Sequence, residues 1–195
     1  MRIVLASSSP RRSELLKMMN VPFECIPSEI DEKSLTEESP ENIVMGLAFE
    51  KAFDICERVE DAIVIGSDTI VYLDEVLGKP SDASEAVEML KKLSGKTHSV
   101  YTGVAVICLE KGIKIIDYVE TEVTFNDLSD TVINAYVESG EPLDKAGAYG
   151  IQGLGSVLVK SINGDFFSVM GMPLSKLNEI LNNAFKINLL TREGL

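Results

Sequence analysis

Histidine, cysteine and aromatic residues are scarce in this sequence of 195 residues, and tryptophan is absent. One histidine and three widely spaced cysteines supply neither the clustered ligands of a zinc site nor the paired cysteines of a disulfide framework. Cys25, Cys56 and Cys108 are instead expected to be buried thiols in a reducing cytoplasm. With only His98 available and no G-x-S-x-G motif, a Ser-His-Asp hydrolase is disfavoured, and His98 is expected to be structural.

Positive charge is also in short supply in this chain. The 31 acidic residues outnumber the 18 lysines and arginines, and the formal net charge is −13. This balance argues against nucleic acid and anionic membranes as partners. No apolar run approaches the roughly 20 residues of a membrane-spanning helix, and the N-terminal RIVLA lacks the pattern of a signal peptide. A small anionic ligand fits such a chain only where cations cluster, so the positions of lysine and arginine become informative.

Strand-like and helix-like patterns alternate along the chain, and two long β-rich stretches are separated by a Lys-Gly turn. Because alternating units and a long hairpin coexist, the sequence predicts one α/β domain over residues 1–195 with a mixed sheet. The segment AIVIG at 62–66 is apolar throughout, which is typical of a strand buried on both faces. The expected strands cover 2–6, 22–26, 62–66, 98–110, 113–125 and 156–162. The segments TIVYL (69–73) and VLGKP (76–80) are expected to bracket a hairpin-like turn at 74–75. The expected helices cover 40–59, 82–94 and 129–139 and begin at Pro10 and near Pro173.

The segment LASSSPRRSELL at 5–16 places two arginines where a helix disfavours them. Ser9 followed by Pro10 is a helix-start pattern, because serine caps free N–H groups and proline fits the first helical position. Arg11 and Arg12 then fall in the first turn, where the helix dipole is already positive and a capping box favours Glu or Gln. A bound anion would offset this repulsion, and the segment therefore indicates a candidate anion site.

Lys51 and Asp68 are charged residues in otherwise apolar surroundings. Lys51 lies one helical turn from Leu47 and from Ile55, on an apolar stripe. Either its stem is buried at the edge of the stripe with the amine in water, or the cation points from the core face into a cleft. Asp68 follows the apolar strand 62–66 and is expected at its carboxyl end, where it either caps a turn or helix or serves as a site carboxylate.

Further charged residues lie in expected loops, and it is the combination of these charges, not any single residue, that indicates a function. No P-loop motif occurs, and GIQGLG at 150–155 has the wrong glycine spacing for a dinucleotide fingerprint. Cations beside a helix N-terminus can hold a polyphosphate, and carboxylates can hold Mg²⁺ together with substrate phosphates. The combination indicates phosphoanhydride chemistry. The cations are Arg11, Arg12, Lys51, Lys79 and Lys145, and the acids are Glu32 and Asp68.

Seven motifs, in order along the chain, resemble those of the Maf family of nucleotide pyrophosphatases. They cover nearly the full length, so together they are far more specific than any one of them. One departure is Phe166–Phe167, where members of the family often have tyrosine. The motifs are LASSSPRRSELL (5–16), LAFEKA (47–52), GSDTIV (66–71), GKP (78–80), LSGKTHSVYTGVAV (93–106), EPLDKAGAYGIQG (141–153) and GDFFSVMGMP (164–173).

The resemblance implies a cytoplasmic nucleotide diphosphatase, which hydrolyses the α–β phosphoanhydride bond of a nucleoside triphosphate and releases the monophosphate and pyrophosphate. It implies a divalent cation, Mg²⁺ or Mn²⁺, as cofactor. The implied fold is α/β, with a mixed twisted sheet, flanking helices and two lobes around a deep cleft, similar to the inosine triphosphate pyrophosphatases. The resemblance also implies a homodimer, because family members are often dimeric.

The resemblance also assigns roles to residues at matching motif positions. Asp68 would accept a proton from the attacking water, and Glu32 would lie with Asp68 near the metal. The implied phosphate-binding residues are Ser8, Arg11, Arg12, Lys51 and Lys79.

Arg12, Thr69 and Gln152 occupy positions at which family branches differ, and they resemble the branch that acts on dTTP and UTP. The amide of Gln152 can both donate and accept, which matches the O4 and N3–H edge of thymine or uracil. The resemblance therefore favours dTTP and UTP, together with modified pyrimidine triphosphates, and a house-cleaning role. Two alternatives stay open: a purine pyrophosphatase acting on ITP or XTP, and a non-catalytic nucleotide-sensing regulator of septum formation.

Overall fold

The computed structural model describes residues 1–30, 38–191 and 194, so the predicted metal ligand Glu32 lies outside the described residues. The strands are β1 (Arg2–Leu5), β2 (Glu24–Cys25), β3 (Ala62–Leu73), β4 (Glu75–Leu77), β5 (Thr97–Cys108), β6 (Ile113–Phe125) and β7 (Val159–Asn163). The helices are α1 (Pro10–Met18), α2 (Pro40–Cys56), α3 (Ala83–Leu93), α4 (Asp130–Glu138), α5 (Phe166–Val169) and α6 (Leu174–Phe185). Among these helices, none combines the length and apolar character that a membrane crossing requires.

The sheet is mixed, as the sequence predicts. Strand β1 runs parallel to β2 and to β3, whereas β4 pairs antiparallel with β3, and β7 pairs antiparallel with β6. The strand order is β2-β1-β3-β5-β6-β7, with β4 beside β3. Strands β5 and β6 are neighbours joined by residues 109–112, a connection so short that it forms a hairpin. Gly112 supplies the positive φ of 63° in that turn.

Strand β3 has 12 residues and joins two segments that the sequence pattern separates, the predicted strand 62–66 and the segment TIVYL at 69–73. The predicted hairpin-like turn at 74–75 is confirmed, because β4 pairs antiparallel with β3 there. The prediction that Asp68 stands at the carboxyl end of a strand is therefore wrong, because β3 continues beyond it. Apolar burial resumes at Ile70 and Val71, which are 6% and 3% exposed. Ser67 and Asp68 do not interrupt the strand, because both side chains find buried hydrogen-bonding partners.

The chain divides into two compact units, each with its own apolar core. Of the described residues, unit 1 takes those within 1–68, 102–119 and 171–195, and unit 2 takes those within 69–101 and 120–170. Strands β3, β5 and β6 therefore contribute residues to both units. The core of unit 1 includes Val4, Val64, Ala105 and Ile107, and the core of unit 2 includes Leu90, Phe125, Ile133 and Leu158.

Two glycines let helix α2 lie directly against the strands of unit 1. A Cβ atom at Gly66 would lie 2.2 Å from the carbonyl oxygen of Ala48, and a Cβ atom at Gly103 would lie 2.2 Å from that of Val44. Only glycine fits such a contact, because any side chain would overlap the helix backbone. The close approach brings Lys51, which follows Ala48 by one turn, toward β3.

Candidate active site

A buried ion pair between Lys51 and Asp68 forms the centre of the candidate site in unit 1. The Nζ atom of Lys51 lies 2.5 Å from Oδ1 of Asp68, and the two side chains are 8% and 10% exposed. Leu47 and Ile55, one turn before and after Lys51, are buried as well. The interpretation that places the lysine amine in water is therefore wrong. Asp68 lies inside β3 and binds Lys51, which identifies it as a buried charged partner and not as a helix cap.

Gly171 links Arg12 to Ser67, the residue before Asp68 in β3. The carbonyl oxygen of Gly171 accepts a hydrogen bond from Nε of Arg12 at 2.9 Å and lies 2.9 Å from Oγ of Ser67. The same Oγ lies 2.8 Å from the carbonyl oxygen of Gly103, and its single proton can serve one of the two carbonyls at a time. The guanidinium of Arg12 is therefore oriented by a backbone group that also contacts the residue next to Asp68.

Helix α1 begins at Pro10, as predicted, but the side chain of Ser9 does not cap it. Within the part of the chain that the structure describes, Ser9 makes no side-chain capping bond, and its backbone N–H donates to Oγ of Ser7 at 3.1 Å. The first turn contains no acidic residue. The positive end of the helix dipole thus lies beside the half-buried Arg11 and the exposed Ser8. The start of α1 is chemically suited to an anion.

The remaining described residues of the predicted site lie in unit 2. Thr69 is half-buried in β3, Lys79 is exposed in the turn after β4, and Gln152 is exposed in the glycine-rich segment. The N–H of Gly147 donates to the carbonyl oxygen of Gly78 at 3.0 Å. This bond ties the turn that carries Lys79 to the glycine-rich segment that carries Gln152.

Lys145, the fifth cation of the sequence pattern, is engaged within its own loop. Its Nζ atom donates to the carbonyl oxygen of Glu141 and to Oδ1 of Asp144, the latter at 2.7 Å. Its stem passes over Gly150, where a Cβ atom would lie 2.9 Å from Cε of Lys145. Lys145 thus contacts residues 141 and 144 with its amine and Gly150 with its stem.

His98 is buried in the core of unit 2, as expected for a structural histidine. Its Nε2 atom lies 2.8 Å from the hydroxyl oxygen of Tyr149, and its ring meets Phe125 edge-on at a centroid distance of 5.0 Å. Burial lowers the pKa of His98 to about 4, because the charged imidazolium cannot be solvated there. The ring is therefore neutral at physiological pH.

The described part of the predicted metal site is the carboxylate of Asp68. Among residues 1–30, 38–191 and 194, no cluster of three or more His, Cys, Asp or Glu side chains is arranged to hold a metal ion. Carboxylate oxygens are nevertheless the ligands that Mg²⁺ prefers, and Mg²⁺ is often bound by one or two carboxylates plus substrate phosphates. The donor chemistry of Asp68 therefore fits such an ion when a substrate supplies further oxygens.

Two residues of the candidate site carried no role in the sequence interpretation. Ser67 and Gly171 lie within the motifs GSDTIV and GDFFSVMGMP, but the contact between them spans more than a hundred positions in the chain. The only signal at Gly171 was the residue type itself, since glycine adopts positive φ at little steric cost. The structure gives Gly171 a φ of 108°, which side chains rarely tolerate.

A family model described as Maf-like protein matches residues 2–184 of the chain. With this fold and this match over nearly the whole length, the chain belongs to the family of Maf-like proteins.

Curated relatives narrow the comparison within this family. The dTTP/UTP pyrophosphatase of Alkaliphilus oremlandii (strain OhILAs) is 53% identical over 190 residues, which cover 97% of this chain and 99% of the relative. The proteins of the same name from Bacillus cereus (strain AH820) and Bacillus anthracis are each 55% identical over 177 residues, or 90% of this chain and 92% of the relative. This chain is thus similar over almost its whole length to relatives that share one name.

Proposed function

We propose that the chain is a nucleoside triphosphate pyrophosphatase that hydrolyses dTTP and UTP to dTMP and UMP plus pyrophosphate. The observation that carries this proposal is the identity of 53% to relatives named dTTP/UTP pyrophosphatase, over 97% of the chain. The buried pair of Lys51 and Asp68 supports the same activity, and so does Arg12, whose guanidinium is oriented by the carbonyl oxygen of Gly171. An ion pair that costs desolvation energy in the core is better explained by a reaction than by stability.

In the proposed reaction, water attacks the α-phosphorus in line with the departing pyrophosphate. One P–O bond forms from the water oxygen, the α–β bridging P–O bond breaks, and its electron pair leaves with pyrophosphate. Asp68 accepts the proton of the attacking water, while Lys51 fixes the orientation of that carboxylate. Arg11, Arg12 and Lys79 offset the negative charge that grows on the leaving group.

A divalent cation, Mg²⁺ or Mn²⁺, is part of the proposal. Asp68 would hold it together with Glu32 and oxygens of the substrate. When bound, such an ion polarises phosphoryl oxygens and neutralises part of their charge. An ionised carboxylate offers about four lone-pair sites, so Asp68 could help to hold the cation and also accept the proton of the water while Oδ1 stays paired with Lys51.

Base preference in the proposal depends on Arg12, Thr69 and Gln152. The exposed amide of Gln152 can donate to O4 and accept from N3–H of thymine or uracil. A site that pairs with these groups rejects other bases strongly, because a wrong base leaves polar groups unpaired. All three cysteines are free thiols, which is in keeping with the proposed reducing cytoplasm. Cys56 and Cys108 are buried as expected, whereas Cys25 is exposed, so the expectation of burial is wrong for Cys25. The homodimer stays a prediction.

A turnover screen tests the proposal. The chain is incubated with canonical triphosphates and with ITP, XTP and modified pyrimidine triphosphates, with Mg²⁺, with Mn²⁺ or with a chelator, and pyrophosphate is detected directly. We expect turnover that requires a divalent cation and is fastest with dTTP and UTP. Faster turnover of ITP or XTP would indicate the purine pyrophosphatase, and binding of triphosphates without turnover would indicate the nucleotide sensor.

A further inference from the structure

The carboxylate of Glu141 and the hydroxyl of Tyr136 form a connected pair in unit 2. The hydroxyl of Tyr136 donates to Oε1 of Glu141 at 3.0 Å and accepts a hydrogen bond from the N–H of Gly150 at 3.0 Å. Glu141 in turn accepts from the N–H of Leu154 at 3.0 Å and from the N–H of Gly155 at 3.1 Å. Two side chains thus bind the backbone of segment 150–155 at both of its ends.

The backbone of this segment is fitted closely around the pair. A Cβ atom at Gly155 would lie 2.6 Å from the hydroxyl of Tyr136, and a Cβ atom at Gly153 would lie 2.7 Å from Oε2 of Glu141. Gly153 also has a φ of 67°, which favours glycine. The segment therefore has little room to adopt another conformation while the pair is intact.

The charge of Glu141 strengthens this arrangement. Partial burial alone would raise the pKa of its carboxyl, but the N–H groups of Leu154 and Gly155, the Tyr136 hydroxyl and the nearby Lys145 lower it below the usual value. Hydrogen bonds to an ionised acceptor are about twice as strong as those between neutral groups. The ionised carboxylate of Glu141 therefore binds the backbone N–H groups strongly.

Gln152 lies in the middle of segment 150–155. Gly150, two positions before it, is bound to Tyr136, and Leu154, two positions after it, is bound to Glu141. Gln152 itself is exposed, so its orientation depends on the backbone that carries it. A recognition group must be held within about 0.5 Å of its productive position to discriminate between ligands.

We propose that Glu141 and Tyr136 are positioning residues for base recognition, because they hold the backbone on both sides of Gln152 in one conformation. This inference rests on the proposed function, in which Gln152 contacts the pyrimidine edge of dTTP or UTP. Neither side chain needs to touch the substrate. Their effect is on the choice of base and not on the hydrolysis step.

The test compares Glu141→Gln with Glu138→Gln, an exposed position at the end of α4. The amide in Glu141→Gln cannot replace both carboxylate oxygens, because its NH₂ group repels a backbone donor. We measure kcat and KM for dTTP, UTP, dCTP and dGTP. We expect Glu141→Gln to lower the ratio of kcat/KM for dTTP to that for dCTP by about tenfold, mainly through a higher KM for dTTP. Glu138→Gln should leave the ratio unchanged.

A double-variant cycle separates positioning from general destabilisation. If the pair acts through Gln152, adding Glu141→Gln to Gln152→Ala should change the dTTP to dCTP ratio by less than about twofold. Tyr136→Phe, which keeps the ring and removes both hydrogen bonds, is the second probe should Glu141→Gln fail to fold, and we expect it to lower the ratio by about threefold.

The outcomes separate this inference from the proposed function. An equal loss of kcat for all four substrates, or a ratio unchanged in both Glu141→Gln and Tyr136→Phe, overturns the positioning role while the proposed function stands. Absence of pyrophosphate release by the unaltered chain overturns the proposed function, and the positioning role with it.

Discussion

The ammonium of Lys51 lies 2.5 Å from Oδ1 of Asp68, and neither side chain is more than 10% exposed. A pair of this kind is costly to bury, and removing one partner leaves the other charge without compensation. The pair therefore links two properties of the chain, its stability and its proposed reaction.

Replacing Lys51 with Met should destabilise the chain. The uncompensated carboxylate of Asp68 would be buried, and we expect a loss of about 3–5 kcal/mol in the free energy of unfolding. Urea unfolding, with Lys160→Met at an exposed position as the control, measures the effect. A double variant, Lys51→Met with Asp68→Asn, should recover part of the loss. If Lys51→Met is as stable as Lys160→Met, the charge pair is not buried as described.

Replacing Arg12 with Lys should change substrate preference more than the same change at Arg11. Lysine keeps the charge but lacks the Nε–H that donates to the carbonyl oxygen of Gly171 at 2.9 Å, so its head group loses its orientation. We expect the ratio of kcat/KM for dTTP to that for dCTP to fall about tenfold in Arg12→Lys. Arg11→Lys serves as the matched comparison. If both variants lose the same amount of kcat/KM and neither changes its substrate preference, Arg12 has no role in base preference beyond its charge.

Replacing Gly66 with Ala should push α2 away from β3. The new Cβ atom would lie 2.2 Å from the carbonyl oxygen of Ala48, so helix or strand must shift. We expect a loss of about 1–3 kcal/mol in the free energy of unfolding, since overpacking of a close contact costs that much. Gly78→Ala is the control, because a Cβ atom there meets nothing within 4 Å. Equal stability of the two variants would contradict the close packing of α2.

The buried His98 should make the chain less stable in acid. Its pKa is about 4 in the folded chain, below its usual value of 6.5, so the unfolded chain takes up the proton first as the pH falls. The neutral His98 makes its full contribution to the free energy of unfolding above pH 6.5. As the pH falls from 6.5 to 4, the free energy of unfolding should decrease by about 3 kcal/mol. The measurement compares the unfolding free energy of the unaltered chain and of His98→Gln between pH 7 and pH 4. Parallel pH profiles would show that His98 is not the cause.

Most helices and strands could be predicted from the sequence, because local signals define them. Pro10 and Pro40 mark the helix starts, and the apolar pattern of 98–125 with one Lys-Gly turn indicates the hairpin of β5 and β6. Helix α2 ends at Cys56, a few residues before the predicted end at 59. Boundaries of this kind depend on tertiary contacts that a local pattern does not contain.

The arrangement of the candidate site was less accessible from sequence. Lys51 and Asp68 each had two open interpretations, because whether a charge on an apolar face is buried depends on what it meets. The contact of Ser67 with Gly171, and that of Arg12 with the same carbonyl, join parts of the chain that no local pattern relates. The close approach that buries Lys51 depends on Gly66 and on a helix that comes earlier in the chain.

The central claim is that the chain releases pyrophosphate from dTTP in a reaction that requires the carboxylate of Asp68. The most direct test is to analyse the products of dTTP turnover by the unaltered chain and by Asp68→Asn, with folding of both checked by circular dichroism. We predict dTMP and pyrophosphate in equal amounts from the unaltered chain, and a rate at least about a hundredfold lower in Asp68→Asn. Release of dTDP and orthophosphate, or a rate in Asp68→Asn near that of the unaltered chain, would contradict the account.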